Sequence, residues 1–192
     1  MKNLMFCLIL SILLAASCAT HGPFYVGNPY GAHVSYGEGR HPGIDFDLGR
    51  GTPIIAASDG EIIYVGDPCP GEPHCGGIFV AIRHGDHFKS LYGHLGKVFV
   101  ETGQLLKRGQ LIGLSGASNS GYAHLHFGIC KIKGNCINYS QTYNPKKFWL
   151  DGEPQCFDPN MDYSNHSQKD ITLPVACVEY ANRLIAKTKK KE

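Results

Sequence analysis

Between residues 43 and 133 the apolar side chains come in short alternating runs, most of them closed by glycine or by a Gly/Asp pair. Such runs are too short and too evenly alternating for helices, and they specify half-buried β-strands joined by tight turns. In Gly43–Leu48 (GIDFDL), Ile44, Phe46 and Leu48 point one way and Asp45 and Asp47 the other. Residues 52–58 (TPIIAAS) end at Asp59-Gly60, a hairpin signal that predicts residues 61–66 (EIIYVG) as the partner strand. Residues 77–84 (GIFVAIRH) turn at Gly85-Asp86 into residues 87–95 (HFKSLYGHL), and residues 98–116 hold two further short strands around glycine turns. Residues 124–133 (HLHFGICKIK) alternate again, with Leu125, Phe127 and Ile129 toward a core and His124 and His126 on the other face. Glycine is 24 of 192 residues without a three-residue period, which excludes collagen and favours a turn-rich β protein. The expected fold is all-β: an antiparallel sheet core with a groove on the face away from the core, plus one short C-terminal helix where Val178, Ala181, Leu184 and Ile185 keep helical spacing.

The ends of the chain set its compartment. Lys2 precedes an apolar run from Leu4 to Ala16, shorter than the about 20 residues a membrane span needs, so residues 1–17 read as an export signal. Ala15-Ala16-Ser17-Cys18 resembles a bacterial lipoprotein lipobox, which implies a lipidated Cys18 as a membrane anchor; ordinary cleavage at the same small residues is the other reading. Residues 18–28 then form a tether, 29–150 the main domain, and 151–192 an extension with a helix and a basic tail. That extension could cover a site, dock a partner or brace the fold.

Cys69, Cys75, Cys130, Cys136, Cys156 and Cys177 form an even set in an exported chain, which predicts three disulfides. Nearness along the chain favours Cys69–Cys75, Cys130–Cys136 and Cys156–Cys177 among about 15 pairings. A metal site at Cys69, His74 and Cys75 is the rival reading. The formal net charge of +2 leaves no electrostatic footprint for nucleic acid, and a monomer is expected.

The candidate chemistry lies in three histidine motifs. His41 and Asp45 stand four apart at the start of an alternating strand, His124 and His126 share one strand face, and His94 sits at a strand end in LYGHLG. Two imidazoles and one carboxylate make a three-ligand set that would hold zinc at about 2.0–2.2 Å and leave a fourth position open. No H-E-x-x-H is present. His84 and His87 flank a turn and are read as surface residues, and His21, His33 and His166 fall in loops without partners.

H-x-x-x-D, then Y-G-H-L, then H-L-H-F, separated by glycine-rich strands, resemble in order and spacing the lysostaphin/LytM-type zinc endopeptidases over about residues 29–133. The resemblance implies His41, Asp45 and His126 as zinc ligands and His94 and His124 as catalytic histidines. The family also uses a tyrosine upstream of the first ligand; Tyr36 is the nearest candidate and is not assigned. The implied activity is hydrolysis of peptide cross-links in bacterial peptidoglycan, with a D-alanyl–diaminopimelate-type bond as target. Export, disulfides and the lipobox imply the periplasm or outer membrane of a Gram-negative envelope, or secretion. Two alternatives stand beside it: a non-catalytic relative that binds wall or activates another hydrolase, and an iron(II) facial-triad oxygenase.

Overall fold

The computed structural model describes residues 25–69, 71–72 and 74–189. The export signal, the lipobox Cys18 and the end of the basic tail lie outside the described residues. The strands are β1 (Ile44–Phe46), β2 (Pro53–Ile55), β3 (Gly60–Gly66), β4 (Ile78–His84), β5 (Phe88–Val98), β6 (Leu105–Leu106), β7 (Leu111–Ser115), β8 (Leu125–Cys130) and β9 (Thr142–Tyr143), followed by helix α1 (Val178–Thr188). All strand pairs are antiparallel, in the order β1-β8-β5-β4-β3-β6, with β7 on the second half of β5, β2 on β7 and β9 on β8. Among the described residues no helix is long and apolar enough to cross a membrane.

Alternation sorts the strands into two faces, as expected. Ile44, Phe46, Tyr92, Leu125, Phe127 and Ile129 bury into the main core with Ile54, Ile62 and Ile82, while Phe79, Ala81, Leu91 and Cys130 form a thinner apolar layer on the other face. Burial of such side chains, each worth about 1.5–3 kcal/mol, drives assembly of strands too short to persist alone. The three disulfides join Cys69–Cys75, Cys130–Cys136 and Cys156–Cys177. The rival metal site at Cys69, His74 and Cys75 is thereby lost, since sulfurs bonded to each other offer no thiolates.

Three local expectations need correction. Asp59-Gly60 is not a hairpin turn: β2 pairs with β7 and β3 with β4 and β6. The Asp59 carboxylate instead accepts from Arg108 N at 2.8 Å and Lys107 Nζ at 2.7 Å, tying the crossover to the β6–β7 turn. His84 is fully buried rather than on the surface, although His87 is exposed. Residues 25–28, expected as tether, run beside β1, with Gly27 N donating to Asp45 O and Asp45 N to Asn28 O, both at 2.9 Å.

Candidate metal centre and active site

Strand register builds the site. Asp45 on β1 lies opposite His126 on β8, which lies opposite Gly93 on β5, so three neighbouring strands present one cross-strand row to the face away from the core. Gly43 is required beside it, because a Cβ there would come within 2.8 Å of the His126 ring. His41 enters from the loop before β1.

Three acceptor atoms then converge. His126 Nδ1 is 2.9 Å from Asp45 Oδ1 and 3.0 Å from His41 Nε2, and His41 Nε2 is 3.1 Å from Asp45 Oδ1. His41 Nδ1 donates to Pro29 O at 3.3 Å, so its proton sits there and Nε2 carries a lone pair. All three residues are buried. Burial raises the Asp45 carboxyl, but the adjacent His126 and His41 rings outweigh it and hold the group well below the usual carboxylate range. Burial pushes the His126 imidazole down, toward its neutral, ligating form. Bonds of about 2.0–2.2 Å to one tetrahedral ion would set neighbouring ligand atoms about 3.3–3.6 Å apart, so this triangle is within a few tenths of an ångström of one face of a zinc tetrahedron. Three lone pairs so close repel unless a cation lies among them; this donor set fits zinc.

Two further imidazoles face the open side. His124 Nδ1 donates to Tyr122 O at 3.0 Å, and its Nε2 reaches to 3.7 Å from Asp45 Oδ1. His94 Nδ1 donates to Gly76 O at 2.9 Å. Each ring thus keeps its proton on Nδ1 and offers Nε2 as an acceptor, with ring centroids 4.4 Å apart. Burial pushes His94 down to about 3, the His126 and His124 rings adding to the effect, and burial also lowers His124. His94 is not at a strand end. It lies inside β5 with φ of 62°, at the point where β5 leaves β8 and takes up β7. That left-handed backbone costs a non-glycine residue about 1–3 kcal/mol, and it turns the ring into the groove.

The groove has a volume of about 350 Å³, and Tyr36, Phe79, Tyr122 and Ile137 give it apolar walls. The structure brings together His41, Asp45, His94, His124 and His126, all within this lining or directly behind it. His33, His84, His87 and His166 stand away from it, and His21 lies outside the described residues. Tyr36, unassigned from sequence, lines the groove with its phenol pushed up to about 12 by burial and by Asp45. Asn28, which donates from Nδ2 to Asp45 Oδ2 at 2.9 Å, gave no sequence signal because its segment has no periodicity. Tyr122, stacked on His124 with ring centroids 4.4 Å apart and donating to the Asp47 carboxylate, was missed from the sequence because it lies outside the alternating strand. The Gly76 carbonyl is a backbone group and has no signature in side-chain identity.

Residues 39–139, more than half of the chain, match Peptidase family M23. The chain belongs to that family. It is 37% identical over 108 residues to the peptidoglycan DD-endopeptidase ShyA of Vibrio cholerae, covering 55% of this chain and 23% of that protein. It is 35% identical over 101 residues to the murein hydrolase activator NlpD of Escherichia coli, covering 53% of this chain and 25% of that one. The match therefore spans about a quarter of the length of either relative. Among solved structures, the catalytic domain of the antimicrobial peptidase lysostaphin from Staphylococcus simulans superposes with a TM-score of 0.57 at 31% identity, covering 65% of this chain and 91% of that one. The mostly antiparallel sheet is the lysostaphin-like fold of this family.

Proposed function

We propose that this M23 peptidase is a zinc-dependent endopeptidase that cuts peptide cross-links of bacterial peptidoglycan, with a D-alanyl–diaminopimelate-type bond as its target. The observation that carries the reading is the triangle His41 Nε2, Asp45 Oδ1 and His126 Nδ1 with two acceptor imidazoles on its open side. These three atoms would hold the ion. A zinc ion held there supplies Lewis acidity and lowers the pKa of a bound water to about 7. His94 and His124 supply the proton handling. Both are neutral at pH 7 and present Nε2 to the groove, so one can take a proton from the attacking water and return it to the leaving amine. The other can accept a hydrogen bond from the attacking water through Nε2 and hold it in place. The apolar walls suit an extended peptide, and the ShyA relationship supports a cross-link as substrate. The reading places the protein in the envelope, anchored through a lipidated Cys18, with residues 29–150 as the catalytic unit.

The relationship to NlpD favours a second reading, a non-catalytic hydrolase activator. Against it, both the ligand set and the two catalytic positions are filled in this chain. Membership of a peptidase family, and the two additional histidines, leave the iron oxygenase reading without support.

The test is mass analysis of fragments released from purified peptidoglycan and from defined cross-linked muropeptides. Wild type is expected to release cleaved cross-link peptides, to stop when zinc is chelated and to resume when zinc is restored. His126→Ala is expected to fold, to lack zinc and to release nothing. Absence of cleavage by zinc-loaded wild type would favour the activator.

A further inference from the structure

We infer that the disulfide-closed loop Cys69–Cys75 positions two groove side chains, His94 and Tyr36, and that catalysis depends on this staple. The inference rests on the endopeptidase reading above. The loop leaves β3, returns at β4 and reaches the site at two points. At its base Gly76 O accepts the His94 Nδ1 proton at 2.9 Å. Higher up, the His74 ring lies flat on the Tyr36 ring, with centroids 4.3 Å apart and planes within 2°.

The staple and a handful of hydrogen bonds give this segment its shape. Residues 67–77 read DPCPGEPHCGG, with three prolines, three glycines and no aliphatic side chain to bury. Cys75 is buried and Cys69 is not. The disulfide therefore ties the outer arm of the loop to the buried Cys75-Gly76 pair at its base. Around that pair Cys75 N donates to Glu72 O at 3.0 Å, Asn119 N to Cys75 O at 2.6 Å and Asn119 Nδ2 to Glu72 O at 2.9 Å. Gly76 follows at φ of 97°, where a Cβ would run into Asn119. The chain is clamped against the 118–121 loop just before the carbonyl that His94 needs.

That carbonyl decides the chemistry of His94. While it accepts from Nδ1, the proton stays there and Nε2 faces the groove as an acceptor. Once the loop is released, the imidazole samples the other tautomer and other rotamers, and Tyr36 loses the ring that holds it. Cys69, Cys75, His74 and Asn119 are thus positioning residues: they act through His94 and Tyr36 and touch no ligand of the metal site.

The experiment compares wild type with Cys69→Ser/Cys75→Ser, both full-length and zinc-loaded. Zinc content, kcat and KM on a cross-linked muropeptide, and long-range ¹H–¹⁵N imidazole spectra are measured on each. The double variant is expected to retain one zinc and to lose the single Nδ1–H signature of His94. Its kcat is expected to fall about 10- to 100-fold with KM changed far less. An unaltered His94 spectrum with wild-type kcat would overturn the inference. If the serine pair does not fold, Asn119→Ala keeps every cysteine and removes only the bond to Glu72 O. It is expected to perturb the same His94 signals and lower kcat, and a spectrum identical to wild type again overturns the inference. If wild type itself cleaves nothing, the endopeptidase reading fails, and the spectra still judge the loop separately.

Discussion

Asn28 Nδ2 donates to one oxygen of Asp45 at 2.9 Å, so the carboxylate presents its other oxygen, Oδ1, to the two imidazoles. His41 is aimed in the same way by Pro29 O. Both partners come from residues 28–29, which run beside β1, so a stretch with no motif of its own fixes the geometry of two proposed ligands. Partners of this kind typically carry 10–100-fold in metal affinity. Asn28→Ala is therefore expected to raise the zinc Kd by about 10- to 100-fold in a chelator competition, with the fold intact by circular dichroism. Unchanged affinity would show that Asp45 needs no such restraint. His94→Ala and His124→Ala should behave oppositely. Neither supplies a corner of the ligand triangle, so zinc content is expected to stay at wild type while kcat falls about 10²- to 10⁴-fold. Loss of zinc in either variant would move that histidine into the ligand set.

At the scale of elements, the β4–β5 hairpin carries a buried polar chain on its core side. His84 Nδ1 donates to Asp59 O at 2.7 Å, Ser90 Oγ lies 2.7 Å from His84 Nε2, Tyr92 Oη lies 3.3 Å from Ser90 Oγ, and Ala57 N donates to Tyr92 Oη at 2.9 Å. Burial pushes His84 down to about 4, with nearby Arg108 contributing. A histidine whose folded pKa is depressed stabilises the fold fully above its unfolded value, and that stability is lost as pH falls from about 6.5 toward 4. The difference is worth about 3 kcal/mol. Denaturation midpoints of wild type are expected to drop over that range, and His84→Gln is expected to flatten the drop. Equal slopes in the two proteins would place the acid sensitivity elsewhere. This chain also marks the edge of what the sequence makes legible. Ile44-Asp45-Phe46 and Leu125-His126-Phe127 declare their two faces by alternation, and Gly85-Asp86 declares a local hairpin. Asp59-Gly60 misleads because the partner of β2 is β7, more than fifty residues on, and pairing at that distance leaves no turn signature. His84 misleads because a histidine beside a turn looks exposed until the crossover brings Asp59 O over it. The four site histidines and the aspartate were legible through motif spacing, whereas the hydrogen bonds that set the tautomers of His41, His94 and His124 come from carbonyls and could not be.

For the molecule as a whole, the question is what the extension 151–192 does, since the sequence allowed it to cover the groove, dock a partner or brace the fold. Its residues 171–175 lie on the core side. Trp149, Ile171, Leu173 and Val175 enter the main core, and Thr172 N donates to Ala57 O and Ile55 N to Pro174 O at 3.0 and 3.1 Å. The segment thus covers the outer edge of β2, a strand otherwise paired only with β7. Phe157, Ala176 and Leu184 of α1 close over Ile55, and Cys156–Cys177 ties the two ends of this cover together across 21 residues. Among the described residues, the groove lining runs from Asn28 to Asn138 and includes none of the extension. A cross-link of that span contributes about 3 kcal/mol, mainly by restricting the unfolded chain. Cys156→Ser/Cys177→Ser is accordingly expected to lower Tm by about 6–12 °C while leaving kcat and KM of the folded protein at wild-type values. A rise in activity on cutting this disulfide would mean that the extension restrains the groove from behind the sheet, and the bracing role would have to be abandoned.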